Sequence, residues 1–334
     1  MLMAAPGSET PSARLVALDW GTSSLRAWLL GEGGRVLEVR RPGRGLLSVT
    51  RTVDRRDSGA LAAAYEDVFW RTCGDWVQEH PGLPAVACGM VGSRQGWREA
   101  GYLTVPASLR LTAEDLTTVE HRAGVAHLVP GLRVPTAVDG PPGDVMRGEE
   151  TQIVGILDVA RDGDEPLALV LPGTHAKWVT VRDHEVTTFT TSTAGELYGL
   201  VLQHGILGRT AAPEVPDEAA FHRGAAAASS PSARGALVEL FGARVLALEG
   251  VLPPSSVPDY VSGVLIGDEV AHLLPVLGDP RRVVLCGAEG LCRRYAGVLA
   301  TAGVDAEVVA EDATVRGLWK IAVSTGLVTG GPTG

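Results

Sequence analysis

The chain has 334 residues, of which 45% are hydrophobic and 20% are charged, with 42 glycines and 21 prolines. This composition excludes a disordered or low-complexity protein, and the length favours two domains with a cleft over a single core. The formal net charge of -10 at pH 7 argues against a nucleic-acid partner, because such binding depends on lysine and arginine side chains that neutralise phosphates.

The cysteine pattern and the N-terminus predict the compartment. The four cysteines form no CxxC pair and are too few for a disulfide framework in a chain of this size, so we expect reduced thiols. The first dozen residues show no charged region followed by an apolar one, and no apolar run approaches about 18 residues. We therefore expect a soluble cytoplasmic protein without a membrane contact.

The first structured stretch, RLVALDWGTSSLRAWLL at residues 14–30, predicts two strands joined by a polar turn. Gly21 allows a close backbone approach, and the amides and hydroxyls of Thr22 and Ser23 can point at phosphate oxygens. Asp19, at the end of the first strand, suits Mg²⁺, which takes one or two carboxylates together with water and substrate phosphates. An ordinary hairpin turn that contains an aspartate is the alternative, and this stretch alone does not separate the two.

Residues 35–39 continue the hairpin into a three-stranded antiparallel meander, and residues 58–78 follow as a helix. In this helix the apolar side chains recur at helical spacing, and Ser58 occupies the N-cap position. We expect the helix to pack on the meander, and a short apolar strand over residues 84–88 comes next.

A glycine-rich loop leaves that strand with the sequence GMVGSRQGW. Such a loop is a frequent place for substrate contacts. Arg94 and Gln95 can bind a carboxylate or sugar hydroxyls, and Trp97 can form an apolar wall of the site. The alternative is a surface charge at Arg94 and a loop anchor at Trp97.

The sequence DGPPGDVMRGEETQIVGIL follows a strand-like piece at residues 125–129. Its prolines and glycines stop any preceding element, and the pattern predicts that Asp144 is the N-cap of the next helix. A carboxylate at a helix start is either a simple cap or a general base whose ionised form the helix dipole favours.

The segment RDGDE at residues 161–165 is the predicted connection to a second domain, which divides the chain into residues 1–160 and 161–334. A buried strand at residues 166–171 then leads into PGTHAKWVTV and a further strand. This order of strand, small hydroxyl-bearing turn and strand repeats the opening of the chain. Gly173 and Thr174 are therefore predicted to form a second phosphate-facing turn.

The remaining elements are predicted from apolar spacing and turn residues. A capped helix at residues 192–204 carries Glu196 near its start, where the carboxylate suits the helix dipole. Helices are also predicted within residues 219–249, with a break at 229–231, and at 259–274 and 314–327, with strands at 283–285 and 304–309. Gly287, in the turn after the strand at 283–285, lets a flat purine or ribose lie against the backbone, or serves ordinary packing of strand and helix.

Several well-known motifs are absent from the sequence. There is no GxxxxGK[ST] loop and no GxGxxG after the first strand, which excludes a P-loop enzyme and argues against a dinucleotide fold. HExxH and GxSxG are also missing, which removes the simplest zinc protease and serine hydrolase assignments.

Six motifs in a fixed order carry a resemblance to a known family. They are DWGTSSLRAWLL at Asp19, CGMVGSRQGW at Cys88, GYLTVPA at Gly101, DVMRGEETQ at Asp144, LPGTHAKWV at Leu171 and STAGELYGL at Ser192. Together they resemble the 2-dehydro-3-deoxygalactonokinase family of the sugar kinase, actin and Hsp70 superfamily. The resemblance implies an α/β fold of two ribonuclease H-like (actin-like ATPase) domains with an interdomain cleft, the first binding sugar and phosphates and the second binding ATP.

The resemblance also implies an activity, which is ATP-dependent phosphorylation of the terminal 6-hydroxyl of 2-dehydro-3-deoxy-D-galactonate in galactonate degradation. By analogy with related sugar kinases, Asp144 would be the base and Gly148 with Glu149 a matching pair. Pro172 stands where the wider superfamily often has a carboxylate, which leaves Asp19 as the better-supported Mg²⁺ ligand. The substrate contacts expected with this activity are Arg94, Gln95, Trp97 and Glu196, and the ATP contacts are Gly21, Thr22, Ser23, Gly173, Thr174 and Gly287.

Two other functions fit the same residues. One is a kinase of this fold that acts on another sugar acid or ketose, because specificity lies in loops. The other is a nucleotide-binding switch or phosphatase on the same scaffold, with Asp144 only a helix cap. A homo-oligomer is compatible with each of the three.

Overall fold

The computed structural model describes residues 12–51, 53–54, 56–157, 166–213, 215–309 and 312–329. The described residues form two compact units, which are residues 12–157 with 312–329, and residues 166–309. The predicted domain connection at residues 161–165 lies outside the described residues. The second domain is predicted to run to residue 334, whereas residues 312–329 belong to the first unit, which corrects the predicted extent.

The first unit contains ten strands among its described residues, which are β1 Leu15–Trp20, β2 Leu25–Leu30, β3 Val36–Arg40, β4 Ala85–Cys88, β5 Tyr102–Thr104, β6 Ala107–Ser108, β7 Thr117–His121, β8 Gly124–Leu128, β9 Gly131–Val134 and β10 Asp144–Met146. They include a mixed sheet in the order β3-β2-β1-β4-β8-β7 and a small sheet in the order β10-β9-β5. The meander of β1, β2 and β3 is antiparallel, as predicted, while β4 lies parallel to β1 and β8 parallel to β4.

The strands of the second unit are β11 Leu167–Leu171, β12 Ala176–Arg182, β13 Glu185–Ser192, β14 Arg282–Cys286 and β15 Asp305–Val309. They lie in the order β15-β14-β11-β12-β13. An antiparallel meander is again followed by two parallel strands on the side of its first strand. This shared connectivity confirms the predicted α/β fold class with two ribonuclease H-like domains.

Helices cover the sheets of both units. They are α1 Leu46–Thr50, α2 Ser58–Glu79, α3 Glu149–Ile156, α4 Ala194–Gln203, α5 Glu218–Ser229, α6 Ala236–Leu248, α7 Val257–Leu273, α8 Glu289–Thr301 and α9 Ala313–Ser324. The N-cap of α2 is Asp57, whose side chain accepts a hydrogen bond from the backbone N–H of Ala60, and not the predicted Ser58. Asp57 is the better cap because its carboxylate reaches the third residue of the helix.

Glycines explain why α9 belongs to the first unit. A Cβ added to Gly155 of α3 would overlap the carbonyl oxygen of Ala313, and one added to Gly317 of α9 would overlap that of Thr151. Backbone contact on both sides brings α9 against α3, and α9 also packs on β1. A sequence pattern shows that a helix is amphipathic but not which sheet it covers, so the predicted domain boundary missed this return of the chain.

The alanine-rich helix α5 of the second unit packs closely against α7 in the same way. Gly224 of α5 and Gly263 of α7 each place their backbone against the other helix, where a Cβ would overlap a carbonyl oxygen. By length and composition the segment Pro254–Leu277, which contains α7, could cross a membrane, but 61% of the apolar window is buried in the structure. Because most of this window is buried, α7 is a core helix of the second unit, in which Val261 and Val264 are fully buried.

Candidate functional site

The first unit brings three chain segments together at the carboxyl ends of two parallel strands. Asp19 near the end of β1 pairs in register with Cys88 at the end of β4. The start of α3 reaches the same place, because a Cβ built on Gly148 would lie 3.3 Å from the Cα of Gly89. In open α/β sheets, ligands bind outside the carboxyl ends of strands. This edge is therefore the candidate site of the first unit.

Asp19 is the carboxylate that best suits a metal ion here. Its Oδ2 lies 3.1 Å from Nη2 of Arg26, and its side chain is 20% exposed. Burial raises the pKa of Asp19, although the Arg26 guanidinium opposes that shift. A bound cation would offset the burial penalty of the ionised carboxylate. Among the described residues no group of three or more His, Cys, Asp or Glu side chains gathers to hold a metal ion.

The pair of glutamates at the start of α3 is the feature that sequence reasoning gave too little weight. Glu150 is 2% exposed. Its Oε2 accepts a hydrogen bond from the backbone N–H of Gly148 at 2.6 Å, and its Oε1 accepts one from the hydroxyl of Thr151 at 3.0 Å. Burial raises the pKa of Glu150 to about 7, and the charge of Glu149 adds to the shift. The signal in the sequence is the GEE run at residues 148–150.

The thiol of Cys88 is buried at the end of β4, and the charges of the Asp19 and Glu150 carboxylates act on it. Burial raises the pKa of its thiol, and the charges of Asp19 and Glu150 raise it further. Both carboxylates therefore act on the same buried sulfur atom at the end of β4. Glu149, in contrast, is partly exposed, and its Oε2 accepts a hydrogen bond from the backbone N–H of Arg147 at 3.1 Å.

Asp144 does not occupy the predicted N-cap. It is the first residue of β10 and pairs in register with Val134 of β9, while α3 begins five residues later at Glu149. Its Oδ1 accepts a hydrogen bond from the backbone N–H of Val145 at 2.7 Å. The strand pairing holds this segment extended, so the N-cap position falls to Gly148, and the argument that a helix dipole favours ionised Asp144 is wrong.

The hairpin turn after Asp19 is held by its backbone and leaves its side chains accessible. The carbonyl oxygens of Gly21 and Thr22 accept hydrogen bonds from the N–H groups of Leu46 and Leu47 at 3.0 Å each. Thr22 and Ser23 are exposed. The backbone of the turn is thus fixed while the side chains of Thr22 and Ser23 remain accessible to solvent.

The predicted substrate loop divides into exposed and buried residues. The Arg94 side chain is 87% exposed, with its Nε 3.7 Å from Oε1 of Glu99, and Gln95 is also exposed. Trp97 is only 5% exposed and packs in the core, its ring centroid 5.3 Å from that of Phe69. The prediction that Trp97 forms an apolar wall of the site is therefore wrong, because its indole is already enclosed by other core side chains.

The second unit has a cavity of about 410 Å³ beside its small-residue loop. Gly173 and Thr174 line this cavity together with Gly195 and Tyr198 of α4. The opposite lining comes from α7 and α8, through Ser262, Leu265, Ile266, Leu291, Arg294 and Tyr295. This volume and the mixture of apolar walls with a few polar groups are typical of a site for a small molecule or cofactor.

Gly287 and Glu196 lie next to this cavity and do not line it. A Cβ on Gly287 would meet the carbonyl oxygen of Pro172 at 2.9 Å, so the turn after β14 packs against the start of the loop. The exposed Glu196 has its Oε2 2.8 Å from Nε2 of His175, and its backbone N–H donates to the carbonyl oxygen of Thr174 at 2.9 Å. Glu196 thus braces the Gly173–Thr174 loop from the start of α4.

Arg294 is a lining residue that sequence reasoning missed. Its guanidinium pairs with Asp259, which is 1% exposed, and lies 5.1 Å from the ring centroid of Phe221. The RR pair in LCRRYAGVL was visible in the sequence, but amphipathic spacing alone does not distinguish a cavity-lining arginine from a solvated one.

Comparisons with known proteins identify the family of the chain. A family model described as 2-keto-3-deoxy-galactonokinase matches residues 19–321. A 2-dehydro-3-deoxygalactonokinase from Escherichia coli (strain K12) is 35% identical over 302 residues, which cover 90% of this chain and 94% of that protein. The crystal structure of a candidate 2-dehydro-3-deoxygalactonokinase from Sinorhizobium meliloti is similar with a TM-score of 0.78 at 34% identity, covering 93% of this chain and 98% of that one.

Proposed function

Because the chain belongs to the 2-keto-3-deoxy-galactonokinase family, we propose that it transfers the γ-phosphoryl group of ATP to the 6-hydroxyl of 2-dehydro-3-deoxy-D-galactonate. The product is 2-dehydro-3-deoxy-6-phospho-D-galactonate, in the degradation of D-galactonate. The observation that carries the proposal is the family match over residues 19–321, which includes every candidate site residue described above.

Phosphoryl transfer depends on positioning and charge neutralisation more than on covalent chemistry. In the proposal, Gly21, Thr22 and Ser23 bind ATP phosphates from the first unit, and Gly173 and Thr174 bind them from the second. Asp19 would hold Mg²⁺, which when bound neutralises charge on the transferring phosphoryl group. The raised pKa of Asp19 supports this role, since a buried carboxylate gains from a neighbouring cation.

The general base is proposed at the start of α3. Glu149 is the first residue of α3, directly after the N-cap residue Gly148, and it is partly exposed. A carboxylate in the first turn of a helix interacts favourably with the helix dipole. A base must come within hydrogen-bond reach of the substrate hydroxyl. Glu150 is enclosed and already accepts two hydrogen bonds, so it shapes the turn. Asp144 is the alternative base, at the first residue of β10.

Recognition of the two substrates is proposed in separate places. Arg94 would bind the carboxylate of the sugar acid, for which its guanidinium offers a bidentate fork, with Gln95 next to it. The cavity of the second unit, whose lining includes Tyr198, Arg294 and Tyr295, would take the nucleoside of ATP. Glu196 would then act through the loop that it braces.

The proposal places the reaction in the cytoplasm, where ATP is maintained, with neither a membrane nor a nucleic acid as partner. A homo-oligomer is compatible with it. No part of the proposed chemistry requires a second copy of the chain.

The experiment that tests the function measures ADP release with Mg²⁺ and ATP against 2-keto-3-deoxy sugar acids, their parent aldonic acids and simple ketoses. We expect rapid turnover with the galactonate-derived keto acid alone, and phosphorus NMR should show a phosphomonoester on its terminal carbon. Faster turnover on another sugar would support kinase activity but would contradict the proposed substrate. ADP release independent of any sugar would favour the switch or phosphatase.

A further inference from the structure

Glu269 on α7 is a buried carboxylate that three other elements of the second unit bind. It is 5% exposed. Its Oε1 accepts hydrogen bonds from Nε1 of Trp178 on β12 at 2.6 Å and from the hydroxyl of Tyr295 on α8 at 2.9 Å. Its Oε2 accepts one from the hydroxyl of Ser192 at the end of β13 at 2.6 Å. A carboxylate so enclosed is costly to bury unless its oxygens are bonded in this way, which fixes the three donors around it.

Ser192 extends this network towards the cavity. Its hydroxyl oxygen also accepts a hydrogen bond from the backbone N–H of Ala194, the first residue of α4, at 3.2 Å. Thr193, the N-cap residue of α4, makes no side-chain capping bond. The start of α4 is therefore held by Ser192, whose own hydroxyl proton is directed to Glu269.

The start of α4 is in turn fitted against the small-residue loop. A Cβ on Gly195 would overlap the carbonyl oxygen of Gly173, and the backbone N–H of Glu196 donates to the carbonyl oxygen of Thr174. Gly173, Thr174, Gly195 and Tyr295 all line the cavity. A displacement of Ser192 would therefore reach both the loop and the wall of the same cavity.

We propose that Glu269 is a positioning residue for the nucleotide, acting through Ser192 on the Gly173–Thr174 loop and through Tyr295 on the cavity wall. The inference rests on the proposed binding of ATP in this cavity. Its physical basis is that a binding loop is effective when neighbouring hydrogen bonds hold it in the bound geometry before the ligand arrives.

Ser192→Ala is the sharpest test, because it removes the link to α4 and leaves the bonds from Trp178 and Tyr295 to Glu269 in place. We expect ADP, measured by calorimetry on the full chain, to bind on the order of 10-fold more weakly. The KM for ATP should rise by a similar factor, while the KM for the sugar acid stays unchanged. Ser192→Thr keeps the hydroxyl and should restore ADP affinity.

Ser229→Ala is the matched control. This hydroxyl donates to the carbonyl oxygen of Ala225 within α5 and takes no part in the network, so the variant should bind ADP like the wild type. Glu269→Gln retains an oxygen for Trp178 and Tyr295 but presents an N–H group to Ser192. It should weaken ADP binding as Ser192→Ala does, and the double variant should be no weaker than either single one.

Two results would overturn the inference while leaving the kinase intact. One is that Ser192→Ala binds ADP as tightly as the wild type does. This result counts against the inference even if the variant unfolds at a lower temperature, because Ser192 would then serve stability alone. The other is full additivity of the two substitutions. A wild-type protein that binds no ADP and turns over no sugar acid would reject both the positioning role and the proposed function.

Discussion

Gly148 and Gly89 meet backbone to backbone at the candidate site of the first unit, where a Cβ on Gly148 would lie 3.3 Å from the Cα of Gly89. Both residues have positive φ, 112° at Gly148 and 88° at Gly89. The contact joins the start of α3 to the end of β4 and so places Glu149 and Glu150 beside the strand ends that carry Asp19 and Cys88.

Gly148→Ala should impair this junction. The Cβ forces a strained backbone at a φ that other L residues rarely adopt, which costs about 1–3 kcal/mol, and it presses on Gly89. We expect a lower midpoint in urea unfolding and a reduced kcat. Gly101→Ala is the control, since nothing lies within 4 Å of its added Cβ. Equal behaviour of the two variants would contradict the junction.

Substitutions at Glu149 and Asp144 test which of the two carboxylates is the general base. Glu149→Gln should lower kcat by roughly 10²-fold or more, because loss of a positioned base removes about that factor, with little change in ADP binding. Asp144→Asn should change kcat much less. The measurement is kcat in steady-state kinetics with the galactonate-derived keto acid. A larger loss of kcat in Asp144→Asn than in Glu149→Gln would identify Asp144 as the base instead.

The raised pKa of Glu150 predicts a pH-dependent stability. Its pKa is about 7 in the folded protein, whereas the ordinary pKa of a glutamate is 4.5, so between these values the folded state binds more protons than the unfolded state. This contribution is favourable at low pH and is lost as the pH rises from about 4.5 to 7. Glu150→Gln keeps an acceptor for the N–H of Gly148 and a donor for the hydroxyl of Thr151. The variant should therefore gain stability relative to the wild type as the pH rises.

Urea unfolding of the wild type and Glu150→Gln at pH 5, 6, 7 and 8 measures this difference. We expect it to grow with pH by a few kcal/mol at most, since one pKa unit corresponds to about 1.4 kcal/mol. A constant difference across this range would show that Glu150 has the same pKa in both states.

We expect a substitution at Trp97 to lower the stability of the protein and one at Arg94 to weaken substrate binding. Trp97→Ala removes a core indole that contacts Phe69 and should destabilise the protein by about 3–5 kcal/mol in urea unfolding. Arg94→Ala changes an exposed side chain, so its unfolding should match the wild type while its KM for the sugar acid rises. An unchanged KM in Arg94→Ala would remove this residue from substrate recognition.

Much of the fold follows from local sequence patterns. The hairpin β1–β2 and the later meander β11–β12–β13 were predicted because alternating apolar residues and small turn residues act over a few positions. Their repetition in the two halves of the chain indicated two related domains. The resemblance carried by the six motifs indicated the family, which the match over residues 19–321 confirms.

What the sequence by itself determined is therefore the strands of the two meanders and their parallel neighbours β4, β8, β14 and β15, most of the helices and the family of the chain, since these depend on neighbouring residues. Tertiary structure alone decided which residues are enclosed. It put Trp97 in the core, drew Asp144 into a strand by pairing with Val134, and brought Trp178 to Glu269 from 91 positions away. The physical reason is that burial and long-range pairing depend on which surfaces pack together. These contacts involve residues from distant segments, so no single segment specifies them.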